Sequence, residues 1–227
     1  MKKRSITKLV IFIVFCFMSQ YPQVALSSDT NQQSESELKW LLEQMKERGE
    51  TLTSLVANFI QTKKTRLLRE PLRSKGQIYY DSTGKVLVKV TSPSSAMVLI
   101  RDGRVLTYYP DLSRAEERYL GNNIIRKYFG IGMSIDELRK LYRIEIVSKI
   151  PGNGYRVKLT PVTETIVKRI DTIEIETKPT QWLPEYIFFK EKGGDSIAIR
   201  LQFTSINKPL PESIFTITIP KEQREEH

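Results

Sequence analysis

The distribution of turns restricts the fold of this chain more than any other feature. From residue 76 onwards, short segments rich in β-branched and aromatic residues alternate with turn signals such as Asp102-Gly103 and Gly193-Gly194. An Asp-Gly pair between two apolar runs favours a tight β-hairpin, because glycine tolerates the positive φ that the turn requires. Parallel strands need long crossover connections, so strands joined by such short turns are predicted to be antiparallel.

Apolar periodicity predicts an N-terminal helix that is capped by Ser34 or Ser36 and ends at Gly49. Its apolar residues at helical spacing are Leu38, Leu41, Leu42 and Met45. Two further short helices are predicted at residues 122–129 and 134–142. The alternation of residues 215, 217 and 219 with threonines predicts a last strand. We therefore expect a mainly β fold with some α, in which an antiparallel sheet is strongly curved or closed to hide its edges.

The first 27 residues have the pattern of a signal peptide. Lys2, Lys3 and Arg4 form a basic segment, and residues 9–18 are an uninterrupted apolar run. A bilayer-spanning helix needs about 20 apolar residues, so this run is too short for one and is typical of a signal peptide. The small residues Ala25 and Ser27 predict cleavage near residue 28; a short uncleaved anchor is the alternative. Residues 28–227 are then expected to form a single domain in the periplasm.

Residues suited to catalysis are scarce. The only cysteine, Cys16, lies in the apolar run, and the only histidine is the terminal His227. The exported chain therefore lacks the usual nucleophile–base pairs and zinc-binding spacings. It also has no glycine motif for phosphate or dinucleotide binding. We predict that the protein is not an enzyme and uses no metal or cofactor, and a carboxylate-based hydrolase is the alternative in this class.

The net charge is moderately basic. The whole chain carries 36 Lys and Arg against 26 Asp and Glu, and removal of residues 1–27 leaves a net charge of +6. The predicted export argues against a nucleic-acid partner. A second argument is that such binding needs a clustered basic stripe with aromatic residues, whereas the basic residues here are scattered among acidic ones. The concentration of basic residues between Lys63 and Lys75 is a candidate docking surface for an acidic partner or for anionic lipid headgroups.

Several motifs occur in an order that resembles the periplasmic outer-membrane lipoprotein carrier family LolA. They are, in chain order, Phe59-Ile60-Gln61, Gly76-Gln77-Ile78-Tyr79, Ser92-Pro93, the Asp102-Gly103 hairpin with Tyr108, and residues 209–220 (PLPESIFTITIP). The resemblance implies an incomplete antiparallel β-barrel of the LolA/LolB-like type, which encloses an apolar cavity. An N-terminal helix and short central helices cover its open side. One departure concerns residues 80–85 (YDSTGK), because members of the family carry there an Arg-Pro pair whose arginine helps to latch the helical lid.

The resemblance also implies a function. Family members shield acylated lipoproteins on their way from an inner-membrane ABC exporter to an outer-membrane receptor, and we expect this chain to act as a monomer. Each CH₂ group of an acyl chain buried away from water is worth about 0.8 kcal/mol, so a lipidated protein needs a cover. The alternative is a sensor or scaffold domain on the same half-barrel, which binds a lipid or protein partner without transport.

Strand alternation selects the side chains expected to contact acyl chains. They are Ile78, Tyr80, Val88, Leu99, Tyr108, Ile199, Leu201 and Phe203. Trp40 and Leu41 on the first helix are the candidates for the lid. Alternation alone does not distinguish a filled interior from a cavity, and a register slip of one residue would invert the two faces of a strand.

Overall fold

The computed structural model describes residues 31–119, 121, 135–219 and 224–226. Within these residues the helices are α1 (Asn31–Glu50), α2 (Ile135–Leu141) and α3 (Glu164–Val167). The strands are β1 (Ser54–Lys64), β2 (Leu72–Asp81), β3 (Lys85–Ser92), β4 (Ala96–Arg101), β5 (Arg104–Tyr109), β6 (Arg114–Tyr119), β7 (Tyr142–Ile150), β8 (Gly154–Pro161), β9 (Ile170–Thr177), β10 (Pro184–Glu191), β11 (Ser196–Ile206) and β12 (Arg224–Glu226). The predicted signal peptide and the helix predicted at residues 122–129 lie outside the described residues.

All of these strands belong to one open sheet. Its order is β12-β6-β5-β4-β3-β2-β1-β11-β10-β9-β8-β7, so β7 and β12 lie at the two edges and the sheet does not close into a barrel. Strands β1 to β11 pair antiparallel with their neighbours. The predicted antiparallel half-barrel is thereby confirmed. Strand β12 departs from this pattern and pairs parallel with β6, which is possible because no tight turn joins these two strands.

The sheet is apolar on both faces. We call the face that packs against α1 the inner face. Three apolar clusters on it share members: Phe189 belongs to the cluster under α1 and to the cluster around Phe59, while Ile78 and Val88 belong to that cluster and to the next one. A fourth cluster, around Leu87, Leu99 and Phe215, shares no residue with the other three and lies on the opposite, outer face.

The C-terminal segment covers the outer face without joining the sheet. Phe215 ends a short 3₁₀ helix (Glu212–Phe215) and is buried against Leu87 and Leu99. Residues 216–219 form no strand, so the strand predicted from their alternation is wrong. Alternation records burial on one side of an extended chain, and an extended segment lying on a sheet face produces it without ladder hydrogen bonds.

The two predicted helices that lie within the described residues are found with shifted boundaries, whereas α3 was not predicted. Ser34 and Ser36 lie inside α1 and do not cap it. The helix predicted at residues 134–142 is confirmed as α2, whose side chains Leu138 and Leu141 pack on the same cluster as α1. Among the helices in the described residues, none has the length and hydropathy needed to cross a bilayer.

Candidate functional site

The centre of the inner face is a continuous apolar surface that is only partly covered. Its half-buried side chains come from β2, β3 and β11, and they adjoin the buried Phe59 and Ile199. They are Ile78, Val88, Val90, Leu201 and Phe203. A buried core position usually loses nearly all of its accessible surface, so this group of incompletely buried apolar side chains on one sheet face is a candidate binding surface.

The strand register arranges these side chains in two rows. One row runs from Phe203 through Ala57 and Ile78 to Val88, across four adjacent strands. The next row runs from Leu201 through Phe59 and Gly76 to Val90. Each row contains a small residue between large ones, and Ala57 is fully buried. Large and small apolar side chains are therefore interleaved along the middle of the sheet.

Six of the eight predicted acyl-contact residues lie on the inner face. Ile78, Tyr80, Val88, Ile199, Leu201 and Phe203 belong to two clusters that share Ile78 and Val88. Tyr80 and Ile199 are buried there, and burial raises the pKa of the Tyr80 phenol, so its hydroxyl stays neutral. Alternation along β2, β3 and β11 therefore assigned these side chains to a common face.

The other two predicted residues, Leu99 and Tyr108, lie on the outer face. Leu99 packs in the cluster with Leu87 and Phe215, and Tyr108 pairs with Met97, a member of that cluster. The structure thus separates them from the inner face, contrary to expectation. The reason is that β4 is apolar on both sides, since the C-terminal segment covers its outer side, and alternation carries no information about such a strand.

Helix α1 covers the part of the inner face that is formed by β7, β8 and β9, next to one edge of the sheet. Leu41 is fully buried in the cluster formed with Tyr142, Val157 and Leu159 of β7 and β8. Trp40 is 47% exposed and contacts the edges of two rings, Trp182 at 5.4 Å and Tyr155 at 6.2 Å between centroids. The two lid candidates therefore have different positions, with Leu41 fixed in the core and Trp40 at the margin of the helix.

A single carboxylate ties α1 to the sheet through two partners. Lys149 on β7 lies 2.8 Å from Glu37 Oε1, and the hydroxyl of Tyr155 on β8 donates a hydrogen bond of 3.0 Å to the same oxygen. The hydrogen bond from Lys149, followed by that from Tyr155, lowers the pKa of Glu37. Glu37 in turn raises the pKa of Lys149, and burial followed by Glu37 raises the pKa of Tyr155.

Sequence reasoning did not identify Glu37, Tyr155 or Trp182 as part of this attachment. Glu37 and Tyr155 are 118 residues apart, and no local pattern links two such positions. Trp182 lies in the connection between β9 and β10 at a φ of 50°, a left-handed conformation that sequence patterns rarely reveal for a bulky residue. Only knowledge of the strand register could have placed Tyr155 under the helix, because the register puts its side chain on the sheet face that packs against α1.

A separate groove of about 210 Å³ lies on the outer face at the β4–β5 hairpin. Its lining is largely charged, and its charges pair with each other: Arg101 with Asp102 at 3.1 Å and Arg104 with Glu117 at 3.7 Å. Such a lining does not suit an acyl chain. In the part of the chain that the structure describes, no three His, Cys, Asp or Glu side chains are grouped as metal ligands.

The family model described as "Outer membrane lipoprotein carrier protein LolA" matches residues 50–218. This chain belongs to the LolA family. The matched region begins at the end of α1 and extends to the segment on the outer face, so it includes both rows of the inner face. The family's description is that of a carrier, which places this LolA-family chain among binding proteins. No protein of curated function matches its sequence.

Solved structures share the fold of this LolA-family chain at low sequence identity. An uncharacterized conserved protein from Thermus thermophilus aligns with a TM-score of 0.56 and 10% identity, over 84% of this chain and 99% of that one. The MucA/MucB complex of Pseudomonas aeruginosa gives a TM-score of 0.50 and 15% identity, over 80% of this chain and 61% of that one. The lipoprotein LppX of Mycobacterium tuberculosis gives 0.49 and 13%, over 78% and 99%.

Proposed function

We propose that this LolA-family protein is a periplasmic carrier that shields the acyl chains of lipoproteins, or of related lipids, on the inner face of its half-barrel. Residues 28–227 act as a single domain and a monomer after removal of the signal peptide. By resemblance to the family, the acylated cargo comes from an inner-membrane ABC exporter and passes to an outer-membrane receptor. The protein contributes a surface and no catalysis.

The partly exposed apolar surface at the centre of the inner face carries the proposal. Ile78, Val88, Leu201 and Phe203 come from three strands, and yet none of them is fully buried. An acyl chain laid along this surface would remove apolar area from water on both partners, at about 25 cal/mol per Å². The open sheet edges allow such a chain to enter without the rupture of a closed barrel.

The attachment of α1 supports a role as a cover. The helix is fixed by Leu41 in the core, and it is held at its margin by Glu37 and by the aromatic contacts of Trp40. Exposed ion pairs contribute little to stability, so these marginal contacts can be released without unfolding of the sheet. In this proposal the aromatic contacts and Glu37 take the place of the family's Arg-Pro latch, which residues 80–85 lack.

Titration of the protein with a fluorescent fatty acid and with a triacylated lipopeptide tests the proposal. We expect saturable binding at about one cargo per protein, and Phe203→Ala should weaken it about tenfold, as expected from the roughly 1.5 kcal/mol gained by burial of an apolar side chain. The matched control is Phe188→Ala. Phe188 is also half-buried, but it lies on the outer face of the neighbouring strand β10, where it pairs with Ala198 and Glu174. Equal losses in the two variants, or no saturable binding by the folded protein, would contradict the proposal.

Binding of a protein partner without transport is a second candidate. The observation that favours it is that MucB, a structural neighbour of this chain, was solved in complex with another protein, MucA. The two candidates differ in what the inner face recognises. A partner captured by this protein that is retained after its acyl groups are removed favours the protein-binding role, whereas loss of the partner on deacylation favours the carrier.

A further inference from the structure

The connection between β1 and β2 exposes leucine side chains among basic ones. We call residues 64–75 the β1–β2 tip. A turn closes it, with the Leu68 amide donating to the Thr65 carbonyl at 3.2 Å, so that Arg66 and Leu67 are the two central residues of the turn. Leu67 is 91% exposed and Leu68 42%. The Arg66 amide, in the centre of the turn, donates a hydrogen bond of 3.1 Å to Asp195 Oδ1 in the β10–β11 connection and so ties the turn to the neighbouring connection.

The β1–β2 tip exposes a net positive charge, although the backbone amide of Arg66 and, to a smaller extent, its positive charge lower the pKa of Asp195. The tip's five basic residues are exposed, one acidic residue accompanies them, and the net charge is +4. The five basic residues are Lys64, Arg66, Arg69, Arg73 and Lys75. Within the described residues, none of these five side chains takes part in an ion pair. At the same end of the sheet, by contrast, Lys190 and Lys192 both pair with Asp171.

Exposed apolar side chains concentrate at this end of the sheet. The described residues contain nine large apolar side chains that are exposed. Three lie in the tip (Leu67, Leu68 and Leu72), and two more, Leu112 and Val162, lie in the connections after β5 and β8. The register places these connections at the same end. Lys64 pairs with Ser196 and Lys75 with Ser92, and the Ser95 amide donates to Asp111 next to Leu112. Glu191 at the end of β10 pairs with Ile170 at the start of β9, and Leu159, three residues before Val162, pairs with Ile173.

We propose that the β1–β2 tip docks this protein on the surface of an anionic lipid bilayer. Leu67 and Leu68 would enter the boundary between headgroups and acyl chains, while the surrounding lysine and arginine side chains contact lipid phosphates. The tip is a convex turn and not a groove, and its combination of apolar apex and basic rim matches the two layers of a membrane interface. Docking by the tip does not depend on cargo binding, because the tip lies at one end of the sheet and shares no residue with the apolar surface at the centre of the inner face.

Cosedimentation with vesicles tests the proposal. The vesicles contain either phosphatidylcholine alone or equimolar phosphatidylcholine and phosphatidylglycerol. We expect the protein to bind the anionic vesicles more tightly, and Arg66→Gln/Arg69→Gln to weaken this binding by about fivefold for each charge removed. Leu67→Ser/Leu68→Ser should weaken binding to both kinds of vesicle. All variants share one N-terminus, so any contribution of residues 1–27 cancels in the comparison.

Two controls match the variants. Lys39→Gln/Lys208→Gln removes two exposed charges elsewhere, and Tyr119→Ser removes an apolar side chain that is 68% exposed at the opposite end of the sheet. Both should bind vesicles like the wild type. Equal binding by the tip variants and the wild type, or binding that ignores phosphatidylglycerol, would overturn the proposal and leave an acidic protein as the partner of the tip.

The leucine variant also separates this inference from the carrier function. Without vesicles, Leu67→Ser/Leu68→Ser should bind the fluorescent fatty acid as the wild type does, because its substitutions lie outside the inner face. Loss of fatty-acid binding in all proteins, with vesicle binding still dependent on the tip, would contradict the carrier and leave membrane docking intact.

Discussion

Phe59 on β1 lies opposite Gly76 on β2, and its ring occupies the space that a side chain on Gly76 would need. A β-carbon added to Gly76 would lie 2.8 Å from Cε1 of Phe59 and 1.9 Å from the carbonyl oxygen of Lys89. The β2–β3 ladder shifts register at this point, between Lys75 and Gly76. An aromatic ring packed over a glycine at a bulge is a known device for shaping a curved sheet. The pair therefore shapes the sheet at the centre of the inner face.

Replacement of Gly76 by alanine should destabilise the protein. The new methyl group would meet backbone as well as a ring, so the strands must separate, and overpacking of this kind costs about 1 to 3 kcal/mol. The free energy of unfolding in urea measures the effect. Gly49→Ala is the control, because a β-carbon there meets nothing within 4 Å; its stability should stay equal or rise. Equal stability of Gly76→Ala and the wild type would contradict the described packing.

Leu99 tests the assignment of the outer face. It is buried with Leu87 and Phe215, so Leu99→Ala should leave a cavity and cost about 2 to 5 kcal/mol in the free energy of unfolding. The folded fraction of Leu99→Ala should nevertheless bind the fluorescent fatty acid with the wild-type dissociation constant. A weakened affinity in the folded variant would show that Leu99 reaches the cargo, as the sequence pattern suggested.

The attachment of α1 to the sheet should weaken at acidic pH. Because Lys149 and Tyr155 lower the pKa of Glu37 in the folded protein, their contacts stabilise the attachment above the ordinary glutamate pKa of about 4.3. This stabilisation is lost as the pH falls through the lowered, folded pKa. Trp40 and Trp182, the only two tryptophans of the chain, both contact Tyr155. Tryptophan fluorescence should therefore change on acidification below about pH 4.

Two variants identify the group responsible for that transition. Glu37→Gln should abolish the acid change in fluorescence, because its amide does not titrate. Glu164→Gln should keep it. The pKa of Glu164 is also lowered, but its partner is Lys168, the residue that follows α3, and not Lys149 or Tyr155. An acid transition that persists in Glu37→Gln would show that another carboxyl controls the aromatic contacts.

The sequence predicted best those strands that have one polar face. On β11, Ile197, Ile199, Leu201 and Phe203 alternate with more polar residues, and the structure places all four on the inner face. The tight turn at Asp102-Gly103 was likewise found, with φ values of 52° and 72°. In both cases, the residues that determine the structure are close neighbours in the chain.

The features that sequence reasoning missed depend on distant parts of the chain. Leu99 was assigned to the wrong face because residues 210–217, more than a hundred positions later, cover the outer side of β4, and Tyr108 on β5 lies opposite Met97 on that same covered side. Phe215 and the residues after it were predicted as a strand because burial against a sheet gives the same alternation as pairing within one. The role of Glu37 depends on where β7 and β8 place Lys149 and Tyr155, which no local pattern contains.

Native mass spectrometry of the protein recovered from its own export compartment tests the central claim most directly. If the inner face carries acyl chains, part of the folded protein should retain a lipid or lipopeptide, whose mass identifies the cargo, at about one per protein. Phe203→Ala should retain less of it than Phe188→Ala. Wild-type protein that remains folded, binds no added lipopeptide and shows only the mass of its own polypeptide would contradict the account.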